Sequence, residues 1–252
     1  MQPQPNNFSE LRLDFSNEGY CILPAPSPDE QQWLYNFVQS KWLNLLIAEY
    51  PSIQDAARKM GLKNYHKIAD KIDHQNFWTK DRRLFLGHEI GILTQNLSVF
   101  SHLNYVFGDF KVEDIEGIGY SEIYWRLVRP NALSDVAVAH KDSWFFSITN
   151  SMSEADQEGL IKVWLPVVSD IDSSGLSVCP GSHKLEIPHT SEVRHGRPKP
   201  DADPEVLKKY SMKPLPLSVG QAVAFDKELL HKGISHNNDF TRVSIEFAIR
   251  LN

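Results

Sequence analysis

Cysteine is scarce: two residues in 252, Cys21 and Cys179. They stand far apart and form no C-x-x-C pair, which argues against a disulfide framework and against a cysteine-rich zinc site. Apolar runs are short, and none approaches the roughly 20 residues that a membrane helix needs. Basic charge is in deficit, with 26 Lys+Arg against 32 Asp+Glu and a net charge of −6. Broad nucleic-acid binding needs a basic face to displace counterions, so it is not expected. No block of like charge is long enough to read as an interaction tail. The opening Met1–Glu10 is polar and rich in Pro and Asn, unlike a signal peptide. These absences predict a protein of the reducing cytoplasm, with no membrane partner, and leave its oligomeric state open.

Hydrophobic residues make up 41% and charged residues 23% of the chain, values of a globular protein able to bury a sizeable core. There is no internal repeat. The pattern changes near residue 117, so a single unit over 1–252 is expected, helical over about 1–116 and β-rich over about 117–252. Gly19–Leu23 reads as a short strand. Ser27, Pro28 and Glu30 read as a helix start, followed by Leu34, Phe37, Val38, Trp42, Leu45 and Leu46 on one face and Pro51 as a stop. A short helix is expected over Ser52–Met60, ended by Gly61. A longer one is expected over about Arg83–Phe107, ended by Gly108, with Ile92, Val99, Leu103 and Val106 as its apolar stripe.

From Glu122 the period shifts towards two. Expected strands are Glu122–Val128, Val136–Ala139, Trp144–Thr149, Leu160–Val167, Ala222–Asp226, His231–Ser235 and Arg242–Ile249. Short strands with turns between them suggest a sandwich or open barrel. Lys184–Lys213, rich in Pro, His and charge, is long for a connector and reads as a lid-like loop.

His140-Lys141-Asp142 is the only H-x-D in the chain. At strand spacing, residues i and i+2 share a face, so imidazole and carboxylate can converge. His231, 231 − 140 = 91 residues on, supplies a third donor. Two histidines and a carboxylate leave three positions of an octahedral metal open, the ligand set of non-heme Fe(II) oxygenases; a structural zinc site would want four protein ligands. Arg242-Val243-Ser244 begins 242 − 231 = 11 residues after His231, across the turn-like Asn237-Asn238-Asp239. Arg242 and Ser244 would project from one strand face, and a guanidinium fork beside a hydroxyl suits an enclosed carboxylate. A dicarboxylate chelating the metal at one end needs such an anchor at the other.

Other residues weigh less. His236 falls in the turn and lies too close to Arg242 to be a ligand. His183 reads as a turn residue beside Pro180-Gly181, and His189 and His195 as solvated lid residues. Trp144 and Trp164 read as core or pocket wall. Arg126 and Arg129 fall on opposite strand faces, so one alone can look inward. With Lys141 beside the H-x-D and Lys162 on an expected strand, Arg126 suggests a cationic pocket for an anionic substrate; the bland alternative is a solvated strand rim. The substrate candidates are therefore Arg126, Lys141, Lys162 and Trp144.

In these motifs the sequence resembles the phytanoyl-CoA dioxygenase family of Fe(II)/2-oxoglutarate oxygenases. The resemblance begins at Asn17-Glu18-Gly19-Tyr20-Cys21-Ile22-Leu23. It continues through Tyr124–Pro130, His140–Phe145, Val163–Pro166 and Gly175–Lys184 with its Pro180-Gly181-Ser182-His183. It closes at Gly220–Phe225, His231-Lys232-Gly233 and Arg242-Val243-Ser244. It implies a mainly β fold with flanking α: a double-stranded β-helix (jelly-roll or cupin-like) with supporting N-terminal helices. It also implies that His140, Asp142 and His231 bind Fe(II), that Arg242 with Ser244 holds 2-oxoglutarate, and that O2 is consumed with release of succinate and CO2. Related halogenases carry Gly or Ala at the carboxylate position, so Asp142 favours hydroxylation over halogenation; desaturation and epoxidation stay open. The competing reading is a cupin-like module that holds a metal without redox turnover. The resemblance leaves the substrate open beyond a small molecule.

Overall fold

A computed structural model describes residues 6–149, 152–173, 175–194 and 197–252. The helices are α1 (Asn6–Glu18), α2 (Pro28–Glu49), α3 (Gln54–Met60), α4 (His74–Phe77), α5 (Gly87–Asn96), α6 (Ser98–Phe107), α7 (Asp142–Thr149) and α8 (Pro204–Leu207). The strands are β1 (Tyr20–Ile22), β2 (Phe110–Val112), β3 (Ile123–Val128), β4 (Leu160–Val168), β5 (Leu176–Val178), β6 (His189–Arg194), β7 (Arg197–Ala202), β8 (Lys213–Pro214), β9 (Val223–Asp226), β10 (His231–Gly233) and β11 (Arg242–Leu251).

The helical half follows the expected logic in α2 and α3. The Ser27 side chain accepts the Glu30 N–H at 3.2 Å, and α2 buries Leu34, Val38, Trp42 and Leu46. The helix expected over Arg83–Phe107 is instead two, broken at Leu97, whose backbone is extended (φ −99°, ψ 125°). No Pro or Gly marks the break. Its stabilisation is tertiary: the Glu30 carboxylate of α2 accepts the Ser98 N–H at 2.7 Å and the Ser98 hydroxyl at 2.9 Å, a negative group at the start of α6. The stripe does not run through this break, and Ile92 is left exposed while Val99, Leu103 and Val106 are buried. The polar N-terminal segment also holds a helix that composition hides. In α1, Phe8 packs on Tyr105 and Phe15 on Phe107 of α6.

All strand pairs among the described residues are antiparallel. The major sheet runs β1-β9-β4-β11, and β3 and β2 share the far edge of β11. A minor sheet runs β10-β5-β8, and β6-β7 form a separate hairpin. One face of the major sheet, with Trp125, Leu127, Val163, Leu165, Ile245 and Phe247, packs on the helices. Alternate residues face the minor sheet, where Tyr20, Trp164, Val223 and Phe225 meet Leu176, Val178 and Leu229. Alternation thus gives each strand one face for the helical support and one for the space between the sheets. The mainly β fold with flanking helices agrees with the expectation; the sheets are not closed into a barrel.

Three local expectations differ. Val136–Ala139 is not a strand; it has isolated backbone bonds only, Gly233 N–H to the Ala137 carbonyl and Ala202 N–H to the Ala139 carbonyl, and the one bridge lies just beyond it, His140 to His231. Trp144–Thr149 belongs to helix α7. Ser147 and Thr149 donate their hydroxyls to the carbonyls four residues back, at 3.0 and 2.8 Å, a bond pattern a strand cannot make. The helix sends Trp144 into a cluster with Ala139, Cys179, Ile187, Ala202 and Leu230, and Phe146 against Leu160 and Ala248. Finally, the stretch 184–213 contains the β6-β7 hairpin and α8.

Candidate metal centre

His140 and His231 face each other across a two-bond backbone pair. His140 N–H donates to the His231 carbonyl at 2.9 Å, and His231 N–H donates to the His140 carbonyl at 3.0 Å. Each ring is then oriented by its own chain. The Nδ1 of His140 lies 2.8 Å from the Val138 carbonyl and that of His231 lies 2.9 Å from the Leu229 carbonyl. A carbonyl only accepts, so each Nδ1 carries a proton, and in the neutral ring the Nε2 lone pair is left free. Asp142 reaches them from the first residue of α7. Its Oδ1 is 3.9 Å from His140 Nε2 and its Oδ2 is 3.9 Å from His231 Nε2. The convergence arises from a turn into a helix, not from the expected strand alternation.

Donor atoms of the three residues all lie within 4.8 Å of one another. Asp142 Oδ2 is buried with no hydrogen-bond partner. A buried orphan carboxylate oxygen beside two free imidazole lone pairs suits a divalent cation. The protonation states suit it too. Burial, then the neighbouring His231, pushes His140 down to about 4, so its ring is neutral near pH 7. Burial would raise the Asp142 carboxyl, but Lys162 and the two imidazoles hold it below its ordinary value.

The support for this bracket comes from the Pro180–His183 turn. Fully buried Ser182 donates its hydroxyl to the Cys179 carbonyl at 2.6 Å and accepts the Leu230 N–H at 2.9 Å, one residue before His231. Gly181 N–H donates to the Glu18 carbonyl at 2.8 Å, and His183 Nε2 approaches the Ser16 carbonyl at 3.3 Å, tying the turn to α1.

Arg242 starts β11 and crosses to the minor-sheet side, where its guanidinium donates to the Ile234 carbonyl. It is 3% exposed, no carboxylate lies in ion-pair reach of it among the described residues, and burial alone lowers its pKa to about 10. Gly175 makes room for it: a Cβ there would lie 2.6 Å from Arg242 Cδ and closer still to Nε and Cζ, at a backbone φ of +114°. A buried guanidinium without a counter-charge fits an incoming carboxylate. Ser244 is buried on the same strand face.

The substrate candidates separate. Arg126 faces the space between the sheets and donates to Glu246 at 2.5 Å; its side chain is 45% exposed, as befits the wall of an open lumen. Lys162 lies near Asp142 and Glu246. Lys141, by contrast, is buried and donates to the Leu185 carbonyl at 2.7 Å, with Glu228 at 3.6 Å. Trp144 stacks on His189, ring centres 4.3 Å apart. Arg129 turns the other way and clamps buried Asp135 with two bonds of 2.8 and 2.9 Å. His236 is buried with Nε2 at 3.2 Å from the Val128 carbonyl. His195 lies outside the described residues.

Two lumen residues escape the sequence reading. Glu246 shares the face of Arg242 and Ser244, and strand alternation alone would have marked it. Burial would raise its carboxyl, but Arg126, Lys162 and Arg83 hold it at about 2. Arg83, from the helical half, is lowered to about 10 by burial and then by Arg126; no local pattern announces it. A surface cavity of about 620 Å³ opens elsewhere, between Glu113, Phe145, Met152, Pro198 and Arg250, and touches none of the three donors.

The phytanoyl-CoA dioxygenase family model matches residues 118–244, which holds all of these β-half motifs. The chain belongs to this family, and so to the non-heme 2-oxoglutarate-dependent oxygenases. It is similar in fold to EctD from S. alaskensis, solved with 2-oxoglutarate and 5-hydroxyectoine (15% identity, TM-score 0.59, covering 99% of this chain and 78% of that one). It is similar also to the non-heme monooxygenase ThoJ (14%, 0.59, 96% and 77%). A third is the epimerase SnoN in complex with Fe3+, alpha ketoglutarate and nogalamycin RO (14%, 0.51, 98% and 84%). No curated protein matches the chain significantly. No helix among the described residues is long and apolar enough to cross a membrane.

Proposed function

We propose that this chain is an Fe(II)/2-oxoglutarate-dependent hydroxylase acting on an unactivated C–H of a small, polar, anionic metabolite in the cytoplasm, with succinate and CO2 as co-products. The observation that carries the reading is the pairing of two unmet needs: the unpartnered Asp142 Oδ2 between two free Nε2 atoms, and the buried Arg242 without a counter-ion.

Bound iron with 2-oxoglutarate supplies the oxidative decarboxylation that turns dioxygen into a C–H oxidant. The protein's residues do the rest. His140, Asp142 and His231 would hold the metal. Arg242, with Ser244 beside it, grips the far carboxylate of the keto-diacid, and the Gly175 notch keeps the guanidinium aimed. Phe225, its ring centre 4.8 Å from that of His231, walls the ligands from bulk water. The β6-β7 hairpin rests on α7 through the Trp144–His189 stack and acts as the lid.

The test is an anaerobic titration with Fe(II) and 2-oxoglutarate. Hydroxylase function predicts a weak visible charge-transfer band that is absent from Asp142→Ala/His231→Ala. Succinate release over a metabolite panel, followed by mass spectrometry, then finds a product heavier by one oxygen. An intact protein that binds metal but no 2-oxoglutarate is a binding module, and the proposal fails.

A further inference from the structure

Glu246 sits on the middle strand of a charged patch in the lumen. Ser244 of β11 is opposite Arg126 of β3, and Ala248 is opposite Lys162 of β4. Arg126 and Lys162 are therefore both diagonal neighbours of Glu246, on either side of it, within reach of long side chains. Arg126 is committed to Glu246 at 2.5 Å. The Lys162 ammonium makes no hydrogen bond or ion pair among the described residues. Across from Lys162 on β9 stands Phe225, the residue whose ring touches His231. The free ammonium is thus one side chain away from a metal donor.

The charges do not balance. Asp142 and Arg242 are reserved for metal and co-substrate. Arg83, Arg126 and Lys162 then face one carboxylate, Glu246, an excess of positive charge lining an open lumen. A cleft lined by one sign of charge concentrates ions of the other sign.

We propose that Lys162 is the direct anchor for a compact anionic group of the substrate, a carboxylate or an isostere of it, and that Arg126 is a positioning residue held by Glu246. This rests on the hydroxylase reading and narrows it. Sequence reasoning ranked Arg126 with Lys162; the pairing with Glu246 separates them. The anion is seated on the floor formed by β3, β11 and β4, so the oxidised carbon lies a short span from the anionic end, toward His231.

The test uses the full chain with Fe(II) and saturating 2-oxoglutarate, without oxygen. The probes are butyrate against butyramide and benzoate against benzamide, read by the charge-transfer band and by tryptophan fluorescence. At least one acid binds about tenfold or more tightly than its amide. Lys162→Met erases that preference and keeps the 2-oxoglutarate band, and Lys162→Arg retains both. Glu246→Gln frees Arg126 and strengthens acid binding, a second check if Lys162→Met fails to fold. The proposal is overturned if no acid outbinds its amide, if the preference survives Lys162→Met, if Glu246→Gln weakens acid binding, or if Lys162→Met alone removes the 2-oxoglutarate band. The last result would make Lys162 a co-substrate anchor. A wild-type protein with no band at all would instead sink the oxygenase reading.

Discussion

Gly175→Ala isolates the role of the Arg242 cradle without touching any charged group. The added methyl would stand 2.6 Å from Arg242 Cδ and nearer to Nε and Cζ, far inside van der Waals contact. The residue also sits at φ +114°, where a side chain costs on the order of 1–3 kcal/mol. The backbone cost lowers stability; the clash displaces the guanidinium from Ile234. Losing a buried charge-assisted grip on a carboxylate costs about 2–5 kcal/mol, which weakens 2-oxoglutarate binding by about 30-fold to several thousand-fold. The assay is the anaerobic titration, with Arg242→Ala as the floor. Gly117→Ala is the control, since Gly117 has a φ of +68° but nothing within 4 Å of an added Cβ. It should lower stability and leave 2-oxoglutarate affinity intact. If Gly175→Ala binds 2-oxoglutarate within roughly threefold of wild type, the notch does not aim Arg242 and the argument for that residue as the anchor is refuted.

Ser182→Ala removes one acceptor and one donor from a fully buried position, leaving the Leu230 N–H without its acceptor and the Cys179 carbonyl with the Ser182 N–H alone. It should cost about 1–3 kcal/mol in urea denaturation and weaken metal binding, because Leu230 precedes His231; unchanged metal affinity would show that the turn does not steer the ligand. The chain should also lose stability in mild acid through His74. Burial, then Arg129, lowers its ring to about 4, so the unfolded chain binds the proton more readily between that value and the ordinary 6.5. The contribution is complete above that range and is lost as pH falls through it, amounting to about 1–2 kcal/mol at roughly pH 5. His140 shares the shift, so the measured quantity is the difference in pH dependence between wild type and His74→Gln; equal slopes would count against it.

What the sequence made legible is what spacing and alternation encode. β3, β4, β9 and β11 came from period-two stretches, and α2 from a Ser-Pro start and an apolar face. The donors His140, Asp142 and His231 were picked by residue type and order, although the reason given for their convergence was wrong. Alternation predicted that Asp142 would follow His140 on a strand; instead the chain turns and Asp142 opens α7. The stretch Trp144–Thr149 misled because contiguous apolar residues fit a buried strand or a short helix equally well. The break at Leu97 was hidden because its cause, Glu30, lies 68 residues from Ser98, which it caps. Arg83 was hidden for the same reason: its neighbours Arg126 and Glu246 are distant in sequence, and only the fold brings them together.

The facing pair His140–His231 has a further consequence. Because the two imidazoles hang from mutually bonded peptide groups, their spacing is set by main-chain geometry and owes nothing to an ion. Stripping the metal should therefore leave a standing bracket with two prongs in place. Reloading then becomes a matter of ion capture, completed by a single carboxylate, and the empty protein stays folded and ready to be charged again.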